Sequence, residues 1–182
     1  STAVAAVTAA GKTMSLLTVP LESIGTAMAT YAGQNLGAAR MDRVRKGVNS
    51  ALIIAAVYAV ASLIILHYAD ITIMGLFLDT SKEVEIVAMG RQYLFWNSVF
   101  FIPLGWLIVW RYTIQGLGFS SLAMLAGVAE MVARTAVALA LVPLLGYMGA
   151  IMANPAAWVA ACLFLYPAYI WTCRPLDNRL LA

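Results

Sequence analysis

Five long apolar stretches organise the chain, at about 4–33, 48–69, 92–115, 120–144 and 149–172. Each is near or above the ~20 residues that carry an α-helix across a bilayer core. None alternates apolar and polar positions over the ~10 residues of a membrane β-strand, so the pattern predicts helices. The first stretch is long enough to tilt or kink, and Pro20 in "TVPLESIG" removes one backbone donor there.

Polar residues gather between the stretches. "YAGQNLGAARMDRVRKG" (31–47) ends in four basic residues, Arg40, Arg43, Arg45 and Lys46. Arg111 closes the third stretch, and Arg174 and Arg179 follow the last. The 70–91 connection mixes Lys82 and Arg91 with Asp70, Asp79, Glu83 and Glu85, while "LGYMGA" (145–150) is uncharged. Five crossings with the 34–47 loop, the 116–119 turn and the C-terminus on one side place seven basic residues there against two opposite. The positive-inside rule makes that side cytoplasmic, with the N-terminus outside and the C-terminus inside. The opening "STAVAAVTAAGK" has no initiator Met and no basic n-region, so it is no signal peptide. With an odd helix count and an external start, it is expected to be cut from something longer, with a preceding helix missing.

Composition agrees with lipid as the solvent. Of 182 residues, 63% are hydrophobic and 10% charged, against about 25% charged in a soluble domain, and the mean hydropathy is +0.89. Cys162 and Cys173 make no disulfide or metal spacing. A single histidine, His67, argues against a histidine-built metal site, and no cofactor is expected. The net charge of +3 is small, and residues 31–47 lack the Gly-Lys-Ser/Thr ending of a phosphate-cradling loop. No nucleic-acid partner is expected. No G-x-S-x-G or H-E-x-x-H occurs. Glu130 and Arg134 faintly echo the Glu-Glu-x-x-x-Arg of membrane prenyl-proteases, but Ala129 stands where the first Glu belongs and a second histidine is lacking. The chain is not expected to be an enzyme.

Ionisable residues inside the stretches are the candidates for chemistry. Glu130 lies about 16 Å along its helix, near the middle of a ~30 Å core, and Arg134 is its i,i+4 partner. Either the pair locks this helix to its neighbours, or Glu130 meets substrate or ion. Glu22, two residues after Pro20, suits a cation or a hinge beside carbonyls left unbonded; as structural glue it would bond a neighbouring helix. Lys12 is placed to snorkel outward. Asn97, Arg111 and Gln115 are predicted to share one stripe of the third helix. The competing reading there is a loop-facing Arg111 with Trp106 and Trp110 as an interfacial anchor. Methionines and aromatics could line an adaptable pocket for flat cations, though they are as usual in packing positions.

The 31–47 segment has a simple reading as a basic loop at anionic headgroups. Gly33 and Gly37 show G-x-x-x-G spacing, and a glycine at a helix end is an expected stop. Gly33, Gln34, Asn35 and Gly37 are read as a structural turn.

"GQNLGA" (33–38) followed by a basic helix start resembles the signature of the multidrug and toxic compound extrusion (MATE) transporters, in which such a sequence closes the second helix of each six-helix half. Residues 112–170 are similar to the family's carboxyl-terminal half, with a "QGLG" turn, an "AGVAEMVAR" helix and "GYMGAIMANPAAW" opening the final helix. The resemblance implies an all-α integral membrane fold, with these five helices as eight to twelve of a twelve-helix, two-lobe transporter. It further implies a cell-membrane antiporter exporting amphiphilic or cationic small molecules for Na⁺ or H⁺. The amino-terminal half of the same transporter and the lipid bilayer would be its partners. A lipid-linked oligosaccharide flippase of the same superfamily is the alternative, disfavoured because only Lys12 and Arg134 are deep bases for a pyrophosphate.

Overall fold

The computed structural model describes residues 2–75 and 84–181, so Asp79, Lys82 and Glu83 of the acidic connection lie outside the described residues. Among the described residues six helices follow in order: α1 (Thr2–Gly37), α2 (Met41–Met74), α3 (Val84–Val99), α4 (Phe101–Gly116), α5 (Ser120–Leu145) and α6 (Tyr147–Leu181). Four of them are long and apolar enough to cross a membrane, and α3 with α4 supplies a fifth crossing if that pair, bent by 53°, is taken as one span. The protein is an all-α membrane protein.

The third stretch is therefore not one straight helix over 92–115. It starts at Val84 and breaks at Phe100. Pro103 has no N–H, so the carbonyl of Val99 loses its helical partner. The Phe100 N–H instead donates to the Asn97 carbonyl at 3.1 Å, a tighter three-residue step. Such a bend has a chemical cause.

The 34–47 segment is not a loop either. Only residues 38–40 are non-helical. The Arg40 N–H donates to the Asn35 carbonyl at 2.8 Å and the Ala39 N–H to the Leu36 carbonyl at 2.9 Å. This is a Schellman closure, and its left-handed position is Ala39 at φ +58°. Gly37 is thus not the conformational stop; it is the last helical residue, with open space where a Cβ would go. The 117–119 turn repeats the same closure with a glycine: Gly118 at φ +91°, Phe119 N–H to Ile114 carbonyl at 3.1 Å and Gly118 N–H to Gln115 carbonyl at 3.0 Å. Arg43, Arg45 and Lys46 ride on the first turns of α2. Arg40 grips Asp42 through Nε and Nη2, both at 2.8 Å, and this hydrogen bond raises the Arg40 pKa above its ordinary value. At the other end, the 145–150 connection reduces to Gly146, and α6 runs from Tyr147 to Leu181 through the residues expected as a tail.

Helix α4 is the centre. It packs against α1, α2, α5 and α6, and buries Phe101, Leu107, Val109 and Ile114 almost completely. In lipid, helices associate through close packing, so small residues mark the crossings. Gly25, Ala29 and Gly33 form an i, i+4, i+8 row on α1 facing α4. A Cβ at Gly25 would come within 2.7 Å of the Ile108 and Tyr112 side chains, one at Gly33 within 3.3 Å of the Gly116 carbonyl, and one at Gly116 would overlap the Ala29 backbone. On α4's other side, a Cβ at Gly105 would lie 2.9 Å from that of Ala55 on α2. Polar staples hold α6: Tyr147 Oη donates to the Met89 carbonyl at 2.9 Å, and Cys162 Sγ to the Pro103 carbonyl at 3.1 Å. Outward, α2 presents Ile53, Val57, Ile64 and Ile65, and α5 presents Met124, Met131 and Leu139. Such faces suit hydrocarbon.

Candidate functional site: a cleft along α1

A cleft of about 550 Å³ runs between α1, α3 and α6. Its α1 wall carries Ser15, Thr18, Glu22, Ser23 and Thr26, positions that return to one side of a helix at 3.6 residues per turn. The hydroxyls of Ser15, Thr18 and Ser23 donate to carbonyls four residues back, at 2.8–3.0 Å. That spares the wall unsatisfied donors and leaves oxygen lone pairs toward the cleft. The facing wall holds Tyr93, Asn97, Asn154 and Trp158. Asn154 Nδ2 donates to Tyr93 Oη at 3.0 Å, and Asn97 Nδ2 to the Tyr93 carbonyl at 2.9 Å. Asn97 is fully buried and its Oδ1 has no hydrogen-bond partner among the described residues. A buried amide oxygen left in that state costs about 1–3 kcal/mol.

Glu22 is the carboxylate of this cleft. It sits near the middle of the 36-residue α1, and its side chain accepts one hydrogen bond from Tyr112 Oη of α4 at 2.8 Å, through Oε2. The neighbouring-helix contact and the cleft position therefore coexist.

Glu130 lies in a different setting. Arg134 Nη2 reaches its Oε1 at 2.8 Å, as the i,i+4 spacing requires, and Arg111 Nη2 of α4 reaches its Oε2 at 2.6 Å. One carboxylate held by two guanidiniums leaves a net positive cluster tying α5 to α4. The side chains of Glu130 and Arg111 are 16% and 26% exposed, that of Arg134 46%.

Compared with known families, the chain matches the sequence profile of the MatE family over residues 1–142. The chain belongs to the MatE family. Members of this family are membrane transporters, and this MatE chain is a multi-pass membrane protein of that superfamily. Among curated proteins none matches it, and among solved structures none does.

In this MatE chain the expected stripe of Asn97, Arg111 and Gln115 does not form. The break at Phe100 puts Asn97 on α3 and the other two on α4, so a single 3.6-residue period no longer relates them. Asn97 joins the cleft, Arg111 turns to Glu130, and Gln115 is exposed near the α4 end. Arg111 is accordingly not a loop-facing residue. Trp106 and Trp110 do neighbour each other, with centroids 6.0 Å apart, and Trp106 Nε1 also donates to the Leu52 carbonyl at 3.3 Å. In the MatE motif turn, Asn35 is buried and donates to the Tyr31 carbonyl at 2.8 Å, while Gln34 is exposed. Gly33 meets Gly116, so the "GQNLGA" and "QGLG" turns lie in one layer. Sequence reasoning missed Tyr112, Tyr93, Asn154 and the Ser/Thr wall. The wall had a usable signal, the helical recurrence of hydroxyls around Glu22.

Proposed function

We propose that this MatE chain is part of the carboxyl-terminal lobe, helices eight to twelve, of a cation-coupled antiporter that exports organic cations across the cell membrane in exchange for Na⁺ or H⁺. One observation carries the reading: a cleft with a hydroxyl-bearing α1 wall containing a carboxylate, Glu22, on which Tyr112 is the one hydrogen-bond donor among the described residues. An aromatic and hydroxyl wall accommodates a flat amphiphile, and Glu22 supplies the negative charge that a cargo cation and a coupling cation would both seek. Competition for one carboxylate couples the two fluxes, because coupling requires differential affinity of two states. Glu130 is the poorer carrier, since two arginines already occupy both of its oxygens. The turn at 38–40 and the C-terminal end of α6 face the cytoplasm in this reading, and the amino-terminal half of the transporter closes the cleft. A lipid-linked oligosaccharide flippase fits less well: among the described residues lining the cleft there is no Lys or Arg to hold a pyrophosphate.

Cysteine accessibility tests the site. In a protein with Cys162 and Cys173 replaced by Ala, Ser23→Cys should react with a membrane-impermeant maleimide and be protected by tetraphenylphosphonium. Ile53→Cys, on the lipid-facing side of α2, should do neither. Unreactive Ser23→Cys beside reactive Ile53→Cys would invert the assignment of wet and lipid faces.

A further inference from the structure

A second concavity lies on the opposite face of α1, between α1 and α2, with a volume of about 530 Å³. Its walls are apolar along most of their length, formed by Ile24, Ala27 and Met28 of α1 and Ala51 and Ile54 of α2. One end is different. There Tyr31, Lys46 and Ser50 line it, beside the basic start of α2.

The dimensions and the charge select an occupant. From Lys46 to Ile54 the groove follows α2 for about 12 Å, at 1.5 Å per residue. That is most of one leaflet of a ~30 Å hydrocarbon core. Helical side chains lean toward the N-terminus of their helix, so Lys46 points from the groove toward the end of α2 that carries Arg43 one turn away. Tyr31 reaches the α2 backbone at this end, its Oη donating to the Arg43 carbonyl at 3.2 Å. Gly47 lets this happen: a Cβ there would overlap the Tyr31 ring, so the ring lies directly against the α2 backbone. An apolar channel nearly one leaflet deep that ends at a lysine and a tyrosine is complementary to a single anionic amphiphile.

We infer that this groove binds one anionic phospholipid, with an acyl chain along Ile24, Met28 and Ile54 and its phosphate at Lys46. The inference is independent of the transport cleft, which lies on the other side of α1. It assigns the basic segment a local task beyond setting orientation. Lys46 binds a headgroup, whereas Arg40 is occupied by Asp42 at 2.8 Å.

The test uses the purified protein in zwitterionic detergent, titrated with dioleoyl phosphatidylglycerol, dioleoyl phosphatidylcholine or inorganic phosphate, with the melting midpoint as readout. Phosphatidylglycerol should raise the midpoint at about fivefold lower concentration than phosphatidylcholine, the factor that one headgroup-contacting base supplies. Inorganic phosphate should have no effect. Lys46→Gln should abolish the preference while sparing the response to phosphatidylcholine. Ala27→Trp, which fills the channel from an exposed position, should remove both responses. Arg40→Gln should keep the preference. The inference is overturned if Arg40→Gln and Lys46→Gln act alike, which would mean diffuse attraction. It is also overturned if phosphate alone reproduces the shift, or if Ala27→Trp leaves the titrations unchanged.

Discussion

Neutralising Glu130 should be among the most damaging single changes in the protein, and the structure says which second change relieves it. Glu130→Gln leaves two guanidiniums without their counter-charge. Breaking one side of a buried pair costs about 3–5 kcal/mol. Arg111 should account for most of that, because its side chain is 26% exposed and its Nε is already buried without a hydrogen-bond partner among the described residues. Arg134, at 46% exposed, should contribute only about 1 kcal/mol, as partly solvated pairs do. Sequence spacing alone selects Arg134→Leu as the rescuing change. The geometry selects Arg111→Met, since Glu130→Gln with Arg134→Leu still leaves Arg111 stranded between α4 and α5. The assay is the midpoint of thermal unfolding in detergent for the three single variants, the two doubles and the triple. Glu130→Gln should lower the midpoint by roughly 10 °C, Arg111→Met should restore more than half of that, and Arg134→Leu little. Strictly additive losses, or a better rescue by Arg134→Leu, would refute the reasoning.

The turn at 38–40 gives a gain rather than a loss. Ala39→Gly should stabilise by about 1 kcal/mol, because an alanine now occupies a left-handed position that costs an L-residue about that much; an unchanged midpoint would count against the Schellman assignment. Gly37→Ala should be neutral or slightly favourable, whereas Gly116→Ala should abolish accumulation of folded protein, since its Cβ would overlap the Ala29 backbone. Expression level and size-exclusion profile separate the two. Pro103→Ala should restore a donor for the Val99 carbonyl and reduce the 53° bend, which a spin-label distance across the α3–α4 junction would read as lengthening.

Much of the fold was legible because lipid imposes a coarse rule: long apolar runs become helices. Finer features depended on contacts that spacing does not show. Pro103 is visible in "FFIPLGW", yet whether a proline bends a helix depends on packing, and Pro20 lies inside the unbroken α1. The glycines were read along the chain as Gly33 with Gly37, whereas the close approach is across helices, along Gly25, Ala29 and Gly33 to Gly116. Glu130 was found from its depth and Arg134 from i,i+4 geometry. Arg111 was missed as its second partner because the two lie on different helices and no local period links them. The loss of the Asn97–Arg111–Gln115 stripe follows from the same break. Periodicity arguments fail wherever a helix does.

The most direct test of the proposed mechanism is gradient-driven transport by Glu22→Gln in proteoliposomes. Wild-type protein, reconstituted as the complete transporter, should move ethidium against its gradient under an imposed Na⁺ or proton gradient. Glu22→Gln, which keeps the side chain's size and an acceptor for Tyr112, should lose gradient-driven movement while retaining a normal melting midpoint. Full gradient-driven transport by a stably folded Glu22→Gln protein would contradict the assignment of the coupling charge to the α1 cleft.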